Sequence, residues 1–303
     1  MRYILIILVF LSVATNAQMV IKAYLNYKPL SQKIFNGQAS YSVRKLDGWG
    51  GSALRVRRSN DNAEQDIGFV GVDLDTATLK TFVGANSAFV TTWFDQSGSG
   101  EDAIQSTAAN QPRIVNAGVV DRLNGKVCLV FDGVNDNLIA DNLATKVTGE
   151  DKPFTAIAVA SKANTNITAA LLGFGRSTTS VPTLIPIGFV NANNDFRVQI
   201  RDDANGNTVI DGGFYAANTQ YLIFSSTTGL SAELFSNNAS QLSSAYNRGT
   251  LTLNQFCIGA VRRASTPDAP LNGRIQEVVF FNSDKSSDRA TIQTDINTYY
   301  GIY

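Results

Sequence analysis

The sequence predicts an all-β protein: two antiparallel sheets packed face to face, with a short internal helix and a C-terminal helix. Three observations carry this. Apolar and polar residues alternate with a period of two over many short runs. Asn-Gly, Asp-Gly and Gly-Gly steps separate those runs. Charged residues make up only 17% of the chain, so polar turns rather than charged helix faces supply the solubility.

The run FRVQIRD shows the alternation most clearly. Phe196, Val198 and Ile200 face one way, and Arg197, Gln199 and Arg201 the other. LRVRR (54–58), FVTTWF (89–94), KVCLVF (126–131), FTAIAVASK (154–162), YLIFSST (221–227), AELFSN (232–237), LNQFCIGAV (253–261) and RIQEVVFFN (274–282) read as further strands. Several are apolar on both faces, as inner strands of a sandwich require. Turns are expected at Asn124-Gly125, Asp132-Gly133, 205–207 and 211–213. Two segments read as helices instead. In 73–84, Leu74, Ala77, Leu79 and Phe82 recur at helical spacing and stop at Gly84. Near the C-terminus, Ala290, Ile292, Ile296 and Tyr299 form an apolar stripe that stops at Gly301.

The first 17 residues, one Arg before an apolar run and then small residues up to Ala17, have the pattern of a secretory signal peptide. Residues 18–38 read as an arm or lead-in strand, and 39–303 as one sandwich domain. Export places the chain outside the cell or on its surface, or in a virion. It also permits a Cys128–Cys257 disulfide, although both cysteines lie in apolar strand-like runs that equally suit buried thiols.

Composition excludes whole classes of chemistry. There is no histidine, which removes His-based triads, His general bases and His metal ligands. Lys and Arg balance Asp and Glu at 25 each, so no field draws in nucleic acid, and none is expected as a partner. The Arg cluster at 55–58 reads as the solvated face of a strand paired with DNAEQD. No metal site is expected. Calcium is the one cation left open, by the oxygen-rich DQSGSGED, whose oxygens lack the spacing of a calcium loop.

Sugar-binding sandwiches combine an aromatic platform with polar groups that bond hydroxyls. Trp49, flanked by glycines, and Tyr215 are candidate platforms, with Trp93, Phe214 and Tyr246 as further aromatics. Asn194, Asp195 and Arg197 are the polar candidates beside Tyr215. Asp95 and Gln96 end the strand FVTTWF. There Asp95 is suited to accept N–H bonds from the next turn, and both residues are also ligand candidates.

The stretches ASYSVRKLDGWGGSALRVRRSNDNAEQDIGF, TTWFDQSGSGEDAIQ and LNGKVCLVFDG resemble the catalytic domain of arabinofuranosidase B-type enzymes. The tail GRIQEVVFFNSDKSSDRATIQTDINTYYGI is similar both to that family and to the wider laminin-G-like, concanavalin A-like group. The resemblance implies a concanavalin A-like jelly roll over residues 39–303 and places Asp95 and Gln96 in the scaffold. It also implies two catalytic carboxyls: a Glu in a Gly-His-Met-Glu stretch below a vicinal Cys pair, and an Asp after Ile-Gly-Gly. Here the first interval, 163–194, holds no Cys, His, Asp or Glu, and Pro186 or a neighbour stands at the nucleophile position. The second stretch reads CIGAVRR, with Val261 at the acid/base position. Retaining hydrolysis needs both groups about 5 Å apart, so no catalytic residue is assigned. Glu277 shares strand parity with Ile275, Val279 and Phe281. It reads as an inward structural Glu bonded to backbone or Arg, or else as a buried acid.

Three functions follow in order. The first is an exported, non-catalytic carbohydrate-binding or adhesion module on a degenerate glycosidase scaffold, with a glycan or cell-surface polysaccharide as partner. The second is a structural or receptor-binding component of a surface or phage virion assembly, whose partners are further copies or virion proteins. The third is a divergent α-L-arabinofuranosidase.

Overall fold

The computed structural model describes residues 38–163, 168–190, 194–246 and 248–303. The expected signal peptide and all of the expected arm except Gln38 lie outside the described residues.

The strands that build the sandwich are, in chain order, β1 (Ala39–Ser42), β2 (Leu54–Arg58), β3 (Glu64–Ile67), β4 (Ala88–Trp93), β5 (Ala103–Ile104) and β6 (Arg113–Asn116). Next come β7 (Leu129–Asp132), β8 (Leu138–Ile139), β9 (Phe154–Lys162), β10 (Ala169–Gly175), β11 (Thr183–Phe189) and β12 (Phe196–Arg201). The last six are β13 (Asn207–Gly212), β14 (Tyr221–Thr227), β15 (Ser231–Ser236), β16 (Ala239–Ala245), β17 (Gln255–Ile258) and β18 (Asn272–Phe281). The two longer helices are α1 (Thr76–Val83) and α2 (Arg289–Tyr300), and a four-residue helix spans Asn142–Thr145.

Backbone pairing is antiparallel throughout and sorts these strands into two layers. The first runs β16-β15-β14-β9-β18, and both β1 and β7 pair along the free edge of β18. The second runs β13-β12-β11-β10-β17-β8-β5-β4-β2-β3. Strand β6 pairs with both β7 and β4 and stitches the layers along one side. An all-β two-sheet sandwich is therefore what the chain forms, as its alternation predicts.

The core lies between the sheets. Phe280 of the first sheet packs on Phe174 of the second at 5.2 Å between ring centroids, with Phe154 and Phe256 at 6.3 and 6.4 Å. Each such side chain contributes about 1.5–3 kcal/mol when fully buried. The expected alternation along 196–201 is observed: Phe196, Val198 and Ile200 are buried, and their neighbours half-buried.

Both longer helices stop where the sequence predicts. Asp75 caps α1 by accepting N–H bonds from Ala77 and Thr78, and Gly84, with φ +61°, follows its last residue. Gly301 takes the left-handed conformation after α2. The buried face of α2 is Ile292, Gln293, Ile296 and Tyr300 rather than the stripe through Ala290 and Tyr299. Two runs read as single strands are each broken. KVCLVF splits at Cys128 between Lys126–Val127 and β7. LNQFCIGAV stops at Ile258, because Gly259 takes φ +88° and turns the chain. The second break decides what the candidate site looks like. Cys128 and Cys257 are buried free thiols with no bond between them.

Candidate functional site

The loop at Asp95 is scaffold. Its Oδ1 accepts the N–H groups of Ser40 (2.8 Å) and Ser97 (2.9 Å). Its Oδ2 accepts the hydroxyls of Ser97 and Ser99 and the N–H of Glu101. Gln96 is fully buried; its amide donates to the carbonyls of Ser42 and Arg44, and its Oε1 accepts Leu46 N–H. Asp95 and Gln96 are thus corrected as ligand residues: their polar atoms already hold the loop to the neighbouring strand β1. Trp49 is half-buried. Its indole N–H donates to Ser52 O at 3.0 Å, and its ring folds back over Gly51.

Glu277 resolves to the structural reading. It is 1% exposed and held in a fork by Arg44, Nε to Oε2 at 2.7 Å and Nη2 to Oε1 at 3.0 Å. Ser42 and Tyr300 donate their hydroxyls to the same Oε2. Arg44 also reaches Asp295 at 2.9 Å. Burial disfavours the Arg44 charge, but Glu277 and Asp295 outweigh it and keep the guanidinium protonated. Burial raises the carboxyl pKa of Asp295 against the pull of Arg44.

The segments around Val261 and Pro186 meet. Val261 and Ile185, the neighbour of Pro186, pack with Ala170 into a small apolar cluster apart from the main core. All three are buried, at 0%, 3% and 0% exposure. Their lid is a hairpin of Val261–Arg263 and Thr266–Asp268 laid across β10. The approach is so close that a Cβ on Gly173 would stand 2.4 Å from Val261 Cα, and one on Gly175 would stand 1.8 Å from the Arg262 carbonyl oxygen. Arg262 anchors the hairpin through Asp141 at 2.7 Å, and Ala170 N–H donates to Ala269 O at 2.8 Å. Apolar side chains beneath a backbone lid have no proton to give and no nucleophile to offer. The carboxylates Asp202, Asp203 and Asp268 are engaged elsewhere, with Gly206, Thr252 and Arg263 respectively.

The remaining sequence candidates come together at the tip joining β11, β12 and the end of β13. Asn194, at φ +60°, accepts Tyr215 N–H through its carbonyl at 2.8 Å. Arg197 forms a two-bond ion pair with Asp211, both bonds 2.6 Å. Asp195, half-buried, follows Asn194 at the same tip. Tyr215 is corrected as a platform. It is fully buried, packs edge-on to Phe189 at 5.0 Å, and donates its hydroxyl to Val190 O. Burial, and then the charge of Asp195, push its phenol up to about 12. Phe214 points outward instead and is 60% exposed. Phe214 is therefore the exposed aromatic that adjoins Tyr215 in the chain. Residues 191–193, next to Asn194, lie outside the described residues.

Sequence reasoning passed over a charged cleft of about 410 Å³ near the start of α1 and the end of α2, lined by Asp73, Arg122, Asn124, Lys126 and Tyr299. The only local signal was the Asn124-Gly125 turn, since the other walls come from distant parts of the chain.

The fold is a sandwich of the kind that glycoside hydrolases use. A GH54 α-L-arabinofuranosidase soaked with a cyclic sulfate inhibitor has a TM-score of 0.63 at 16% identity. A mutant GH54 α-L-arabinofuranosidase soaked with 4-nitrophenyl α-L-arabinofuranoside has 0.65 at 16%. An arabinofuranosidase complexed with arabinofuranosyl-alpha-1,2-xylobiose has 0.63 at 15%. Each comparison covers 88% of this chain and 64% of the other, so the chain spans less than two thirds of those proteins. At this identity the likeness is one of fold. No known family profile matches the sequence, and no curated protein matches it.

Proposed function

We propose that this chain is an exported, non-catalytic carbohydrate-binding module, built on a glycosidase-type sandwich whose catalytic face is closed. The observation that carries the reading is the apolar cluster of Ala170, Ile185 and Val261 beneath the 261–268 hairpin. Val261 and a neighbour of Pro186 belong to this cluster, and the sequence resemblance matches those positions to the attacking and proton-donating carboxyls. A retaining or inverting glycosidase needs two carboxyls flanking the scissile bond, and apolar side chains do neither job.

The binding surface in this reading is the tip around Phe214. An exposed ring offers its face to the C–H side of a sugar, while Asn194, Asp195 and Arg197 supply donors and acceptors for hydroxyls. Phe214 is 60% exposed, whereas its neighbour Tyr215 is fully absorbed by the core.

The test is a glycan array and an aryl α-L-arabinofuranoside assay on the same preparation. Wild type is expected to retain at least one glycan, to lose it with Phe214→Ala at unchanged melting temperature, and to release no aryl group. Turnover that disappears on mutating a carboxylate pair would restore the hydrolase reading. An array blank for every glycan, with the chain running as a stable higher oligomer on size exclusion, would favour the surface or virion assembly reading.

A further inference from the structure

The Asp73–Lys126–Tyr299 cleft has chemistry of its own, distinct from the Phe214 tip. Tyr299 donates its hydroxyl to Asp73 Oδ1 at 2.6 Å, and Lys126 Nζ reaches the same oxygen at 3.1 Å. The Lys126 ammonium also sits 4.0 Å from the centre of the Tyr299 ring. The three side chains fix one another, so this wall is preorganised.

Arg122 also lines the cleft. The turn at Asn124 and Gly125, both at positive φ, brings it back so that Nη1 donates to Gly125 O at 2.8 Å. Arg122 is exposed, and no carboxylate pairs with it among the described residues. Most of its five donors therefore face solvent. The cleft carries two cations, Arg122 and Lys126, against one carboxylate, Asp73. One positive charge is left over.

The floor is different in kind. Val43, Leu74 and Val127 are buried and line it. An apolar floor with polar walls, in a volume of about 410 Å³, suits a ring with one C–H face and a hydroxylated edge. Asp73 Oδ2 and the Asn124 side chain, both at the surface, are placed to meet hydroxyls. The surplus charge asks for an anion, and the fork of Arg122 matches a planar carboxylate.

We infer that this cleft is a second sugar subsite, selective for a uronic acid residue whose carboxylate is bound by Arg122 and whose hydroxyls meet Asp73 and Asn124. The inference rests on the glycan-binding reading and adds to it the chemical class of one sugar. A neutral sugar leaves Arg122 without its anion. A sulfated or phosphorylated sugar also offers the guanidinium two oxygens, so methyl glucoside 6-sulfate binding as tightly as the uronates in the same assay would overturn the selectivity for a carboxylate.

The experiment is ligand-observed NMR on the wild-type chain with the methyl glycosides of glucuronate and galacturonate, each set against its neutral counterpart, methyl glucoside or methyl galactoside. A charge-assisted contact of this kind corresponds to a preference of about tenfold for at least one uronate. That preference should fall as salt is raised, and Arg122→Gln should abolish it at unchanged melting temperature. Phe214→Ala should leave it intact, because the two sites are separate. A preference below that size in wild type, or one that Arg122→Gln leaves unchanged, overturns the assignment. If neutral glycans still bind through Phe214 while the uronates do not bind at all, this inference alone falls. If no glycan of either kind binds, the broader reading falls with it.

Discussion

Replacing Arg44 by Ala tests whether Glu277 is scaffold or chemistry. Glu277 is 1% exposed and accepts two bonds from Arg44, at 2.7 and 3.0 Å, plus one each from Ser42 and Tyr300. Arg44→Ala removes the only cation paired with it among the described residues and leaves a buried carboxylate with two hydroxyl donors. Breaking a buried pair from one side costs about 3–5 kcal/mol. Set against roughly 5–15 kcal/mol for a whole domain, this is a large fraction of the stability. Urea unfolding followed by Trp fluorescence reads it directly, since Trp93 is fully buried and packs against Tyr41 on β1. The double variant Arg44→Ala with Glu277→Gln removes the stranded charge. It should be more stable than Arg44→Ala alone, with a coupling of about 2 kcal/mol or more in the cycle. A loss below about 1 kcal/mol for Arg44→Ala, or simple additivity in the cycle, would refute the argument that Glu277 is held as a structural ion.

Asp136 predicts a pH dependence of definite sign. It is 6% exposed, and burial, followed by the charge of Asp132, pushes its pKa from 3.8 up to about 7. The folded state thus holds a proton that the unfolded chain has lost, so this residue's contribution to stability falls as pH rises from about 4 to about 7 and is flat above. The total is on the order of 4 kcal/mol, and Asp136→Asn should remove it. Equal pH profiles for the two proteins in denaturant titrations would contradict this. Gly175→Ala should cost about 1–3 kcal/mol or more, because the new Cβ meets the Arg262 carbonyl. Gly50→Ala, with nothing within 4 Å, should change stability by no more than about 0.5 kcal/mol. Equal melting temperatures for these two variants would show that the hairpin does not press on β10. Cys128 and Cys257, both pushed up to about 12 by burial, should resist a thiol reagent at pH 8 in the native state and both react in denaturant. Rapid native labelling would mean that the strands open.

Much of the scaffold was legible in the chain because strand chemistry is local. The alternation in FRVQIRD states which side chains enter the core, and the structure places them there. Gly84 and Gly301 mark the helix ends by their conformational freedom. The same locality exposed the Asp95 turn, whose partners are mostly within six residues. The parity of 274–282 put Glu277 on an apolar side where a charge needs a partner, and Arg44 is that partner.

The site was less legible, for reasons of the same physics. FCIGAV reads as one strand because its apolar run continues past Gly259, and periodicity alone does not register a change of direction at a single glycine. Only packing shows Val261 turned back over β10 onto Ile185, some 76 residues earlier in the chain. Phe214 and Tyr215 follow a strand end, where no period assigns inside from outside. Tyr215 won the interior because its ring fits against Phe189 and Phe196 and its hydroxyl finds Val190 O.

From its residues alone, this chain is determined to be a sandwich, to lack histidine chemistry, and to carry no acid in the interval 163–194. Its tertiary structure decided that Ile185 and Val261 share one closed apolar cluster, that Phe214 rather than Tyr215 meets solvent, and that Asp73, Lys126 and Tyr299 build a cleft. The division follows from range. Side-chain alternation is set by neighbours two residues apart, whereas a site is assembled by which strands the topology lays side by side.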